Sequence, residues 1–74
     1  MTVHHSVYRG RAITITTEQR GDGMYRIAGV KVEVRVGDEI VTADMPYRGI
    51  VHANEAKVIR KAMVDASVYA QASY

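Results

Sequence analysis

Between Met24 and Val36 the chain reads MYRIAGVKVEVRV, with valines at 30, 32, 34 and 36 separated by Lys31, Glu33 and Arg35. Such strict alternation is the period-2 pattern of a strand with one buried and one wet face. It predicts the central strand of a small sheet. Upstream, the segment from Tyr8 to Gln19 sets Ile13 and Ile15 on one face and Thr14 and Thr16 on the other, a second strand by its β-branched content. Downstream, Val41, Ala43 and Met45 alternate up to Pro46, which cannot donate to a ladder and ends the third strand.

The turns between these runs test whether the faces agree. Arg20-Gly21-Asp22-Gly23 is a glycine-rich turn. With Gln19 opposite Met24 across it, Ile13 falls opposite Val30 and Ile15 opposite Ala28, both on the valine face. Gly37-Asp38 suits a two-residue primed turn. It sets Val34 opposite Val41, Val32 opposite Ala43 and Val30 opposite Met45. On the other face the same registers place Lys31 opposite Asp44, Glu33 opposite Thr42, Ile27 opposite Thr16, and Arg35 between Tyr8 and Ile40. The expectation is a three-stranded antiparallel meander in spatial order 1-2-3.

From Asn54 the period changes to 3.6. Asn54 suits an N-cap, and Glu55 falls in the positive first turn. Ala56, Ile59, Ala62, Met63, Ala66, Tyr69 and Ala70 form one stripe, with Val58 at its margin. The predicted fold is α+β: a β-β-β-α two-layer domain over residues 7–74, its C-terminal helix packed on the valine face. The expected core is Ile13, Ile15, Val30, Val32, Val34, Val41, Ala43, Met45, Ile59, Met63 and Ala66. Residues 1–6 read as a flexible tail, and 47–51 as a connector or a short further strand.

Some apolar side chains are left over. Val64 and Val68 lie one turn apart on the wet side of the helix; Tyr25, Ile27 and Ile40 fall on the outer face of the sheet. These five are the candidate contacts for a partner or a second copy. A bulge at Ala28-Gly29 is the alternative account of Tyr25 and Ile27, since it would swing them inward.

Composition narrows the function classes. A chain of 74 residues without cysteine has neither disulfides nor a thiolate metal site to help its core. A net charge of +2 is weak evidence for a polyanion partner. No apolar run reaches membrane-spanning length, and the start lacks a secretory layout, so a soluble, cytoplasmic protein is expected. His4 and His5 point differently in most backbones and have no carboxylate nearby in sequence, so no metal and no cofactor are expected. His52 near Glu55 is the one pair with the chemistry for a proton relay, and nothing else converges on it. A chain this short is expected to struggle to build a substrate-sized pocket. Enzymatic activity is not expected. The string Arg20-Gly21-Asp22 also matches an adhesive tripeptide, but the turn accounts for its glycine.

Three strands followed by a helix, with Tyr8-Arg9-Gly10 at the start, resembles the plant-type DNA-binding domain that presents its sheet to the major groove. That resemblance implies nucleic-acid contacts from the sheet face, including Arg35; the tryptophans of that family are absent here. Lys57, Arg60 and Lys61 at the start of the helix resemble the lysine cluster of double-stranded-RNA-binding domains, whose first helix is missing. Tyr8-Arg9-Gly10, Asp22-Gly23 and Glu55-Ala56 together resemble small bacterial β-β-β-α proteins of unassigned function and, in part, HicB-type antitoxins. The expectation drawn is a non-catalytic interaction or regulatory module that self-associates, with nucleic-acid binding as the alternative.

Overall fold

A computed structural model describes residues 1–72; residues 73 and 74 of the expected 7–74 domain lie outside it. The class is α+β, with one C-terminal helix on an antiparallel sheet, but the sheet has four strands in order β1-β2-β3-β4. They are β1 (Thr2–Tyr8), β2 (Arg11–Gln19), β3 (Tyr25–Val36) and β4 (Glu39–Met45), followed by α1 (Glu55–Gln71). The additional strand is the correction to the sequence reading. Residues 2–6, within the stretch expected as a tail, belong to β1, and Tyr8 ends that strand instead of opening the next.

A turn at Arg9-Gly10 makes the difference. Tyr8 pairs with Arg11 across a two-residue loop in which Arg9 has φ 50° and Gly10 φ 78°. Positive φ at both central positions is the requirement of a type I′ turn, whose twist matches the strands it joins. Arginine is an unusual occupant of that first position, so the turn was hidden.

At the other hairpins the registers compare as follows. Between β3 and β4 every expected pair is present, from Val30–Met45 and Lys31–Asp44 to Arg35–Ile40, closed by Val36–Glu39. Between β2 and β3 the pairing differs: Ile13 faces Val32, Ile15 faces Val30, and Gln19 faces Tyr25. The loop holds one more residue than expected, and a bulge between Thr16 and Thr17 absorbs a second. Thr16 pairs with Gly29 and Thr17 with Ile27, so Ala28 is the extra residue. Two single-residue offsets add to an even shift, which returns the valines to the buried face. On the turn side of the bulge the parity is reversed, and Ile27 turns inward.

The core follows from that reversal. Ile13, Ile15, Ile27, Val30, Val32, Val58, Ala62, Ala66 and Ala70 are buried. Each fully buried Ile or Val contributes roughly 1.5–3 kcal/mol of transfer free energy. The helix packs on β2 and β3 through Val58, Ala62, Ala66 and Ala70, an i, i+4 row of mostly small residues that brings its backbone close to the sheet. Ile59 and Met63, expected at the centre of the stripe, are half-buried on its flank, and Tyr69 is exposed. Val41, expected in the core, is 38% exposed. The reason is length. Twelve residues of β3 extend about 40 Å, whereas the 17-residue helix spans about 25 Å. The helix starts at the Tyr25 end, so Val36 and Val41 near the far hairpin are left uncovered.

Polar groups fix that starting point. Asn54 caps the helix, its Oδ1 accepting from the Ala56 N–H at 3.0 Å. The buried Thr17 hydroxyl donates to Glu55 Oε2 at 2.9 Å, tying β2 to the first turn. No strand forms over residues 47–51; the connector instead returns to β3 through one bridge, with Tyr25 N–H donating to the His52 carbonyl (2.8 Å) and the reverse bond at 3.2 Å.

Candidate interaction surfaces

The free edges of the sheet are β1 and β4, and their backbones present hydrogen-bonding groups to whatever lies beside them. Their side chains differ. The β1 strand, TVHHSVY, holds no acidic or basic residue other than its histidines, and no proline. The β4 strand, EIVTADM, carries Glu39 and Asp44 and is followed by Pro46. Charges and proline are the features by which natural edge strands discourage pairing.

Beyond Pro46 the connector leaves β4 and bridges β3 at Tyr25, covering the stretch of β3 that β4 does not reach. Tyr47 packs against the core, and its hydroxyl donates to Asp65 Oδ2 at 2.7 Å. Asp65 also accepts from Lys61 Nζ at 3.1 Å. Burial, and then the Asp65 hydrogen bond, push the Tyr47 hydroxyl above the ordinary tyrosine range. The hydrogen bonds from Tyr47 and Lys61 hold Asp65 below the usual carboxylate range. Gly49, with φ 63°, lies against the Tyr47 ring; a Cβ there would sit 2.6 Å from Cε1.

Strand geometry also fixes which groups β1 presents. In a two-residue hairpin the closing pair Tyr8–Arg11 exchanges both backbone bonds. Alternation then directs the even-numbered groups of β1 at β2. Thr2 fits this phase, since its carbonyl oxygen lies 3.4 Å from Thr17 Oγ1 on β2. The N–H and C=O of Val3, His5 and Val7 therefore face outward. Their side chains lie on the sheet face away from the helix, with Val3 52% and Val7 69% exposed. His5 Nδ1 lies 3.3 Å from Thr14 Oγ1 on β2.

The candidate contact residues from the sequence separate into two groups. Val64, Val68 and Ile40 are exposed, at 55%, 62% and 51%. Ile27 is 7% exposed and belongs to the core, and Tyr25 is half-buried against it. Neither is available as an exposed patch, because the bulge at Ala28 turns that end of β3 inward. The exposed apolar positions Val3 and Val7 were missed, since their strand was.

The candidate nucleic-acid residues do not share a surface. Lys57, Arg60 and Lys61 are exposed on the helix around Val64. Arg35 lies on the opposite side of the molecule, on the outer sheet face, and donates to the Gly37 carbonyl at 3.0 Å. That face also carries Glu18, Glu33 and Asp44; Glu18 pairs with Arg26, and Glu33 accepts from the Ala12 N–H at 2.6 Å.

The remaining candidates resolve as follows. His4 and His5 point to opposite faces, with His4 Nε2 lying 3.5 Å from the buried Thr17 hydroxyl. Among the described residues no three His, Cys, Asp or Glu side chains cluster as a metal site would require. His52 Nδ1 accepts from the Asn54 N–H at 2.8 Å while Glu55 accepts from Thr17, so each serves the helix start. Within the Arg20-Gly21-Asp22 turn, Arg20 pairs with Asp22 at 3.3 Å. Contrary to expectation, an open cavity of about 580 Å³ lies beside the bulge; Arg26, Ala28, Tyr47, Arg48 and Val51 are among its lining residues. No described helix is long and apolar enough to cross a membrane. Comparison with protein families, curated proteins and solved structures yielded no match to the chain.

Proposed function

We propose that this chain is a non-catalytic interaction module that self-associates through the β1 edge, two copies pairing strand to strand. The observation that carries the reading is the absence of any guard on β1: seven residues without a carboxylate, lysine, arginine, proline or bulge. Its outward backbone groups at Val3, His5 and Val7 are flanked by two exposed valines. Strand addition draws its affinity from main-chain bonds and its selectivity from alternate side chains. The exposed pair Val64 and Val68 on the helix is a smaller feature, set among Lys57, Arg60 and Lys61. Separation of Arg35 from that basic cluster by the full thickness of the molecule weighs against nucleic-acid binding.

The test is molar mass by light scattering over a concentration series. Wild-type protein is expected to double its mass by high micromolar concentration, and Val7→Lys to remain monomeric with an unchanged circular dichroism spectrum. Val64→Glu with Val68→Glu is expected to keep both fold and dimer. Loss of the dimer in that double variant would transfer the contact to the helix. A wild type still monomeric at high micromolar concentration would end the self-association reading.

A further inference from the structure

Resting on β1 as the contact, we infer that the two copies meet about a two-fold axis through His5, in the register Val3–Val7′, His5–His5′, Val7–Val3′, where the prime marks the second copy. Three observations lead to this register. First, only the odd-numbered residues of β1 present backbone groups outward, so a hydrogen-bonded antiparallel partner must oppose odd with odd. Second, β1 runs from Thr2 to Tyr8, and its midpoint is His5. The register centred there pairs the whole strand and closes about six inter-copy hydrogen bonds, two for each opposed odd pair. Registers centred on Val3, His4, Ser6 or Val7 leave part of the strand unpaired. Third, the outer-face side chains read Val3, His5, Val7, which is symmetric about the centre. The valines then meet each other on both sides of the axis, and no formal charge is opposed to a like charge.

The rest of the fold accommodates this pairing. Opposing odd with odd keeps the two sheets facing the same way, so the four-stranded sheets join into one of eight strands with both helices on one side. Each helix lies over β2 and β3. The two axes then stand about four strand spacings apart, roughly 19 Å. That is well beyond the 8–10 Å of packed helices, so no steric conflict arises. On the outer face the row Asp44–Lys31–Thr14–His5 continues across the axis into His5′–Thr14′–Lys31′–Asp44′. An isologous contact of this kind closes at two copies.

The chain has no cysteine, so single cysteines report the register directly. Opposed Cα atoms in a hydrogen-bonded pair are about 5.5 Å apart, within disulfide reach. In an oxidising glutathione buffer, His5→Cys is expected to cross-link to a covalent dimer in most of the protein. Val3→Cys and Val7→Cys, each alone, are expected to remain at background, whereas an equimolar mixture of the two cross-links to the heterodimer. All three positions are exposed, and urea titration of the reduced variants checks that each folds. If the wild type is dimeric but Val3→Cys or Val7→Cys alone cross-links as well as His5→Cys, the register is wrong and the β1 contact stands. If none of the three cross-links above background in a dimeric protein, the register is wrong; if equimolar mixtures of His5→Cys with Val3→Cys and with Val7→Cys also stay at background, β1 is not the contact and both readings fall.

Discussion

The two edges of the sheet are strands of equal length, seven residues each, and they differ in what stands beside them. β4 carries two carboxylates, ends at a proline, and is followed by a connector that comes back to bridge β3 at Tyr25. Tyr47, Asp65 and Lys61 then hold that connector to the helix. β1 has none of this: its outward groups belong to Val3, His5 and Val7. Both edges cap the same sheet, so the difference lies in side-chain chemistry and not in strand length or position. A protein with one guarded and one open edge can pair once and stop. With two open edges it would pair without limit.

Removing the guards from β4 is the strongest test of that comparison. In Glu39→Thr with Asp44→Thr and Pro46→Thr, β4 loses its charges and gains a backbone donor. Mass by light scattering is then expected to rise well past the dimer with concentration, and electron microscopy to show extended assemblies. A triple variant that still stops at two copies would mean that the guards are not what closes this edge.

Breaking the connector is expected to have a smaller effect, on stability and not on assembly. Gly49→Ala places a side chain at φ 63° and drives its Cβ into the Tyr47 ring. Left-handed backbone costs a non-glycine residue about 1–2 kcal/mol, and displacement of the ring adds to that. The urea midpoint is expected to fall accordingly, while the cross-linking of His5→Cys in the same background is unchanged. Equal stability of the alanine variant would show that the connector takes another path.

The same contrast explains what could be read from the sequence. The β3–β4 hairpin was legible throughout, because Gly37 supplies the positive φ its two-residue turn needs and the valines opposite fix the face. Asn54 announced the helix start in the same way, through a side chain that caps it. The β1–β2 hairpin was hidden for two reasons. Arg9 adopts the left-handed backbone without the Asn, Asp or Gly that usually marks it. The valines of β1 also face solvent, so no buried alternation exposes the strand. The bulge was foreshadowed by Ala28-Gly29, yet its location depended on tertiary pairing. Once Ile27 turned inward, two candidate contacts vanished, and the open edge rested on residues that had looked like a tail. In the helix, small residues won the sheet-facing row because alanine permits close approach, and the larger Ile59 and Met63 moved to its flank.

The least effect, and the finest separation of the two edges, is expected from pH. Asp65 has a lowered pKa in the fold, so its contribution to stability is complete above the ordinary carboxylate value and is lost as pH falls through the lowered one. Tyr47 has a raised pKa, so its contribution is complete below the ordinary tyrosine value and is lost as pH rises through the raised one. Tyr47→Phe removes the main cause of the first shift and the whole of the second. Urea midpoints of wild type and variant should therefore differ most at neutral pH and draw together as pH falls below the ordinary carboxylate value of about 3.9. At about pH 11 the wild type should lose part of its advantage, while the variant lacks this alkaline transition. β1 contributes no carboxylate and makes no contact with this pair, so the mass of the variant at neutral pH should match that of the wild type at every concentration. A variant that weakened the dimer at neutral pH would couple the closed edge to the open one across the sheet, and the two could no longer be treated as independent.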